Sequence, residues 1–257
     1  MKELVLDSVS LSYDVDDGKV DALDDVSLRI EGGESVALIG PSGCGKSSLL
    51  RMVSGLIAPS SGTLVIDGRP VGKPREQTSL ILQDFGLLPW KSVRANAELG
   101  LKVRKLAKPE RRKRAEHALE LVGLLPMADL YPAQLSGGMR QRLALARSLA
   151  LDVDLLLMDE PLSALDALLR EQLQETLLGL WQGNGYAQVL VTHSIEEAVY
   201  LGQRIFVFSS HPGTLVGVLD NPDVGVDGYR DSDAFSARCA RLRAMLREGS
   251  KGVDRRA

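Results

Sequence analysis

Gly40 to Ser47 read GPSGCGKS, which fits the spacing G-x-x-x-x-G-K-[ST] without exception. The apolar run SVALI precedes them and SSLLRMVSGL, apolar at helical spacing, follows, so a strand enters the loop and a helix leaves it. Glycines at 40, 43 and 45 let the loop fold back until successive N–H groups face an anion. The next helix adds its free N–H groups and positive end. In such a cradle Lys46 reaches the β- and γ-phosphates of a nucleoside triphosphate, and the Ser47 hydroxyl ligates Mg²⁺. Ser42 and Ser48 are placed to add hydrogen bonds. Cys44 shares the cradle, where its neighbours are expected to lower the thiol pKa and make it sensitive to oxidation or alkylation. It has no catalytic part, because phosphoryl transfer to water needs no nucleophile from the protein.

Two carboxylates stand downstream of the apolar strand LLLM. Asp159, at the tip of a buried strand beside the phosphate loop, suits a Mg²⁺ ligand. Glu160, one residue on, leaves the sheet toward the γ-phosphate, where it can polarise the attacking water. The chain has three histidines. His117 lies among helical charges and His211 precedes Pro212 in a turn. Only His193 ends an apolar strand, AQVLVT, at the edge where parallel sheets bind ligands. It is placed to donate to the γ-phosphate and hold water and Glu160 in line.

The elements that position these groups follow from pattern. Strands are expected near Leu4–Leu11, over Ala22–Ile30 and over Thr63–Ile66. From about Ser92 to Leu151 the pattern turns helical. One helix spans Pro109–Leu121, with Ala115, Ala118, Leu119 and Val122 on an apolar stripe and Arg111, Arg112, Lys113 and Arg114 on a solvated face. After Asp152 strand and helix alternate: DLLLMDE, a helix over Ala164–Leu180 with Ser163 and Asp166 as capping candidates, AQVLVT, a helix from Ser194, and RIFVFS. That order predicts a parallel sheet covered by helices. A helix near Ser236–Arg247 and a polar tail close the chain.

Composition removes other classes. Against 34 acidic residues stand 31 basic ones, a formal charge of -3, which does not describe a nucleic-acid partner. The two cysteines, Cys44 and Cys239, build neither a disulfide scaffold nor a thiolate metal cluster. No apolar run is long enough for a membrane span, and the opening residues carry acids rather than a signal peptide, so a cytoplasmic protein is expected, one that would meet a bilayer only through a partner.

Together these motifs resemble the ABC transporter ATPases. LSGGMRQR, Leu135–Arg142, looks like the family's signature motif, LLLMDEP like the Walker B strand with its catalytic glutamate, and SALD, Ser163–Asp166, like the D-loop. VTH ending at His193 resembles the switch-histidine strand. Gln83, in ILQDFGLLPW, matches the Q-loop glutamine, which implies a part in catalysis and Mg²⁺ coordination, and Tyr13 matches the aromatic that stacks on adenine. The resemblance covers about residues 3 to 215. It implies a P-loop NTPase core of α/β class with a mostly parallel sheet, an N-terminal antiparallel β subdomain, and a helical subdomain inserted at about 90–151. The ATPase domain then spans 1–219, and 220–257 form an extension packed on it.

It also implies a shared site. Ser136, Gly137 and Gly138 open a helix whose free N–H groups form a second anion site, which faces the γ-phosphate held by an identical subunit in a head-to-tail dimer. Asp166 carries information across that interface. The partners implied are membrane permease subunits and, through them, a solute-binding protein. Residues Phe85–Trp90 (FGLLPW) offer an apolar docking loop. QDFGLLPWKSVRANAELGL, SSHPGTLVG and PLSALDALLREQLQ resemble the nitrate, sulfonate and taurine import ATPases, although Leu162 stands where phenylalanine is usual and Ser194 where aspartate is common. An efflux or lipoprotein-release ATPase is the alternative, and a non-transport ABC ATPase a more distant one, since the chain has one copy of each motif and a short helical insert.

Overall fold

The computed structural model describes residues 1–15 and 18–251. Two sheets share the strands. β1 (Glu3–Val15), β2 (Gly18–Glu31), β4 (Ser61–Ile66) and β5 (Arg69–Pro70) form an antiparallel sheet in the order β2-β1-β4-β5. β3 (Ser35–Ile39), β6 (Thr78–Ile81), β7 (Leu155–Asp159), β8 (Ala187–Val191), β9 (Arg204–Phe208) and β10 (Leu215–Asp220) form the second, in the order β10-β9-β3-β8-β7-β6. Its pairings are parallel except β9–β10. This is the α/β architecture with its antiparallel annex expected from the motifs.

The central strands are apolar throughout because both faces are covered. Val36 and Leu38 of β3 and Leu155 and Leu157 of β7 point into one core, shared with the antiparallel sheet and helix α1 (Lys46–Val53). Ala37, Ile39, Leu156 and Met158 point into the other, beneath the remaining helices. Strict alternation of neighbours between two cores is what a strand of period two buried on both sides must show.

The inserted helices are α2 (Val93–Ala97), α3 (Leu99–Val103), α4 (Lys108–Leu121) and α5 (Gly137–Leu149). In α4 the stripe Ala115, Ala118, Leu119 is buried, while three of its arginines pair with acids: Arg111 with Glu98, Arg112 with Glu116 and Arg114 with Glu110. The basic run is a solvated face. Helix α6 (Ala167–Asn184) begins three residues later than expected, capped by Asp166 and not Ser163, with Asp166 Oδ1 accepting the Leu169 N–H at 3.0 Å. α7 (Ile195–Leu201) follows β8, and α8 (Asp233–Lys251) is longer at both ends than the sequence suggested. Phe235, Cys239 and Leu242 of α8 are buried in the helical-side core. The boundary drawn at residue 219 falls inside β10. The expected polar tail, beyond residue 251, lies outside the described residues.

Candidate active site

The parallel register brings the chemistry to one edge. Leu38 pairs with Val191 and Val191 with Asp159, so β3, β8 and β7 end level with one another. Gly40, His193 and Glu160 each follow one of those ends.

Gly45 caps α1 with a left-handed φ of +85°, and a Cβ there would lie 2.5 Å from the Ala22 carbonyl oxygen, so only glycine fits. Lys46 is buried and folds its ammonium back on the loop, with Nζ donating to the carbonyls of Gly40 (2.9 Å) and Pro41 (2.7 Å) and lying 3.3 Å from Cys44 Sγ. Cys44 itself is fully buried among the core residues of the antiparallel side. The thiol expected to be open to oxidation and alkylation is thus buried, with the loop lysine as its polar neighbour.

Ser47 Oγ donates to Asp159 Oδ1 at 3.0 Å. Burial raises the Asp159 carboxyl, against the Ser47 hydrogen bond and with help from the Glu160 charge. A hydroxyl and a buried carboxylate this close are a hard oxygen donor set, and the pair fits Mg²⁺. Glu160 adopts φ +50°, unusual for a residue with a side chain, and its N–H donates to the Val191 carbonyl at 3.0 Å. Its Oε1 is 3.4 Å from His193 Nδ1, and the His193 side chain is 64% exposed. Tyr13 O–H donates to Ser48 Oγ at 2.9 Å, joining the antiparallel sheet to α1. Ser42 and Gly43 lie at the open lip, and a Cβ on Gly43 would touch nothing within 4 Å.

Gln83 is exposed in a turn after β6, and among the described residues it has no hydrogen bond to Ser47 or Asp159. The apolar loop after it divides. Phe85 and Leu87 pack on the core, while Trp90 is 71% exposed. Ser136 caps α5, its Oγ accepting the Met139 N–H at 3.3 Å, and a Cβ on Gly137 would meet open space. Gly138 is tighter, since a Cβ there would approach the Leu165 side chain at 3.1 Å and the Ala164 carbonyl oxygen at 3.3 Å.

Several supporting residues escaped sequence reasoning. Buried Asn96 accepts the Leu88 N–H and donates to the carbonyls of Leu88, Lys91 and Ser92, which shapes the approach to Trp90. Arg147 donates to the carbonyls of Phe85 and Gly86, at 2.6 Å each, and pins the turn beyond Gln83. Glu197, buried, bonds Thr192 Oγ1, which in turn accepts the Ser194 N–H, so His193 sits between two tethered neighbours. Burial raises the Glu197 carboxyl. The available signal was Ser194 followed three residues later by glutamate, a helix-capping spacing. Gln141 stands out in sequence as a polar residue on the apolar stripe of α5, though nothing there names its partners.

Residues 23–163 match the family model described as ABC transporter. The nitrate import ATP-binding protein of Synechocystis sp. is 46% identical over 77% of this chain and 74% of its own length. The taurine import ATP-binding protein of Roseobacter denitrificans is 42% identical over 88% and 86%. Among solved structures, the dimeric ATP-binding cassette MJ0796 in a post-hydrolysis state bound to ADP and Pi superposes with a TM-score of 0.79 at 32% identity, covering 84% of this chain and 98% of the other. Taken with a glycine cradle, an apposed serine–aspartate pair and a glutamate beside a histidine, these likenesses establish that the chain belongs to the ABC transporter family and is an ATP-binding cassette ATPase.

Proposed function

We propose that two copies of this chain, head to tail, hydrolyse ATP to drive import of a small solute, a sulfonate, nitrate or related organic compound, through membrane permease subunits fed by a solute-binding protein. The observation that supports this most is the level end of β3, β8 and β7, which sets Lys46, the Ser47–Asp159 pair and the Glu160–His193 pair in one row. Relatives named for nitrate and taurine import support the solute class.

The residues divide the work. Backbone N–H groups of Gly40–Ser47, with the N-terminus of α1, hold the β- and γ-phosphates, and Lys46 exchanges its carbonyl contacts for phosphate oxygens. Tyr13 takes the adenine face, with Ser42 and Ser48 adding hydrogen bonds. Ser47 and Asp159, joined by Gln83, would hold Mg²⁺, which would supply positive charge to offset that of the phosphates. Glu160 orients and polarises the attacking water, and His193, 3.4 Å away, keeps the carboxylate aimed. Ser136, Gly137 and Gly138 of the second copy close over the γ-phosphate, while Asp166 lies at the seam between copies. Losing the γ-phosphate removes the group that bridges the halves, so the closed dimer opens.

Among the described residues no helix is long and apolar enough to cross a membrane. Attachment to the cytoplasmic face of the inner membrane therefore goes through the permeases. Trp90, Leu130 and Tyr131 are exposed apolar side chains, and the Val93 N–H donates to the Leu130 carbonyl at 2.8 Å, which brings their two segments together in one patch. That patch is the permease-docking surface, with residues 220–251 a structural extension of the ATPase domain.

Glu160→Gln tests the chemistry. Turnover is expected to drop about 10²- to 10⁴-fold, the range of a lost general base, while ATP is retained and a closed dimer accumulates on gel filtration. Normal turnover by that variant overturns the assignment.

A further inference from the structure

Gln141 lies in the second turn of α5, 1% exposed, with every polar atom of its side chain engaged. Nε2 donates to the Glu160 carbonyl at 2.8 Å and to Ser163 Oγ at 3.3 Å. Oε1 accepts the Ala164 N–H at 2.9 Å. All three partners belong to the turn between β7 and α6, and that turn begins with Glu160 in its left-handed conformation. Arg170 holds the same turn from the far side, donating to the carbonyls of Leu162 (3.3 Å) and Leu165 (2.7 Å). Gly138 packs on Ala164 and Leu165 with no room for a Cβ that does not displace them. The helix that opens with Ser136 is thus fastened to the catalytic turn at two points one helical turn apart.

We propose that Gln141 is a positioning residue, carrying the seating of the second copy's triphosphate on Ser136–Gly138 to this chain's own Glu160. The inference rests on the composite site described above. Ser136 and Gln141 are separated by five residues of rigid helix, about 7.5 Å along the axis at 1.5 Å per residue. A helix drawn onto a γ-phosphate moves as a body, and the amide moves the Glu160 carbonyl and the Ala164 N–H with it. Because Glu160 sits at a φ that its neighbours must enforce, its carboxylate direction depends on how tightly that turn is held. Each of the two ATP sites thereby reports its occupancy to the glutamate of the other.

Mixed dimers separate this role from simple structural support. When one protomer carries Glu160→Gln, all turnover comes from the other protomer's Glu160. Adding Ser136→Glu to that active protomer damages only the clamp over the inactive site. The expected result is a turnover about tenfold lower, a change of about 1.4 kcal/mol in the barrier, with KM for ATP within about twofold. Gln141→Leu in the active protomer should lower turnover by a similar factor. The two changes combined should then cost no more than either alone, because both cut the same link. Gln141→Glu keeps the length and the acceptor for Ala164 N–H but loses the donors to Glu160, so it serves as a second variant if the leucine protein does not fold, with the same non-additivity expected. Multiplying factors, or full turnover with either Gln141 variant, overturn the proposal. Normal turnover by a dimer carrying Glu160→Gln in both protomers would instead remove the site reading itself.

Discussion

The phosphate loop and the tip of α5 are both rows of N–H groups beside glycines, yet the first is furnished and the second bare. Around Gly40–Ser47 the ammonium of Lys46 is already satisfied by loop carbonyls, Ser47 meets Asp159, and Tyr13 reaches Ser48. Around Ser136–Gly138 the side-chain hydrogen bond is a helix cap, and Gly137 looks out on open space. A donor row with a lysine and two carboxylates beside it can capture a nucleotide alone. A donor row without them can only complete a site that another molecule supplies.

The sharpest way to break that comparison is to put acid at the bare end. Ser136→Glu with Gly137→Glu should cut turnover at least about 10²-fold by setting like charge against the γ-phosphate, the scale at which a transition-state donor is lost. ATP capture by the lone subunit, read by equilibrium dialysis, should stay within a few-fold of normal. Comparable loss of capture would mean the two ends are not separate. A smaller effect is expected at the furnished end. Lys46→Ala removes one charged hydrogen-bonding group, worth about 1.5–3 kcal/mol, so the affinity for ATP should fall about 10- to 100-fold in the same dialysis experiment. Unchanged affinity would show that the backbone cradle alone holds the phosphates.

Smallest is the pH term at Glu197. Burial raises this carboxyl above its unfolded value of 4.5, so the folded state favours the proton. Stability from this group is therefore full below pH 4.5 and declines as pH rises through the folded pKa. Glu197→Gln keeps a polar partner for Thr192 without the charge, and its Tm should exceed that of the parent by a few degrees at neutral pH, a margin that closes toward pH 4.5. A Tm difference independent of pH would assign the effect to packing.

Most of the frame could be read from residue order. SVALI before GPSGCGKS, and LLLM before the acids, required strands with ligands at their ends, and the register confirms that these ends are level. What pattern could not give was direction. Cys44 sits in the cradle by sequence, but its side chain is buried in the core of the antiparallel side, close against Gly40. Phe85 and Leu87 read as one greasy loop with Trp90, although only the tryptophan faces outward. Ser163 and Asp166 were equal capping candidates until the backbone turned at Asp166. Gln141 and Arg147 hold turns remote in sequence, and periodicity along a helix is silent about which loop comes to rest against it.

Both native thiols are hidden, with Cys44 sealed and the Cys239 thiol pushed by burial to about 11. The chain has no other cysteine. At neutral pH maleimides should therefore leave the parent protein almost unmarked. A single cysteine introduced at an exposed position then becomes a clean anchor for a spin label or fluorophore, and the proposed opening and closing of two copies can be followed as a changing distance without first stripping the natural sulfur.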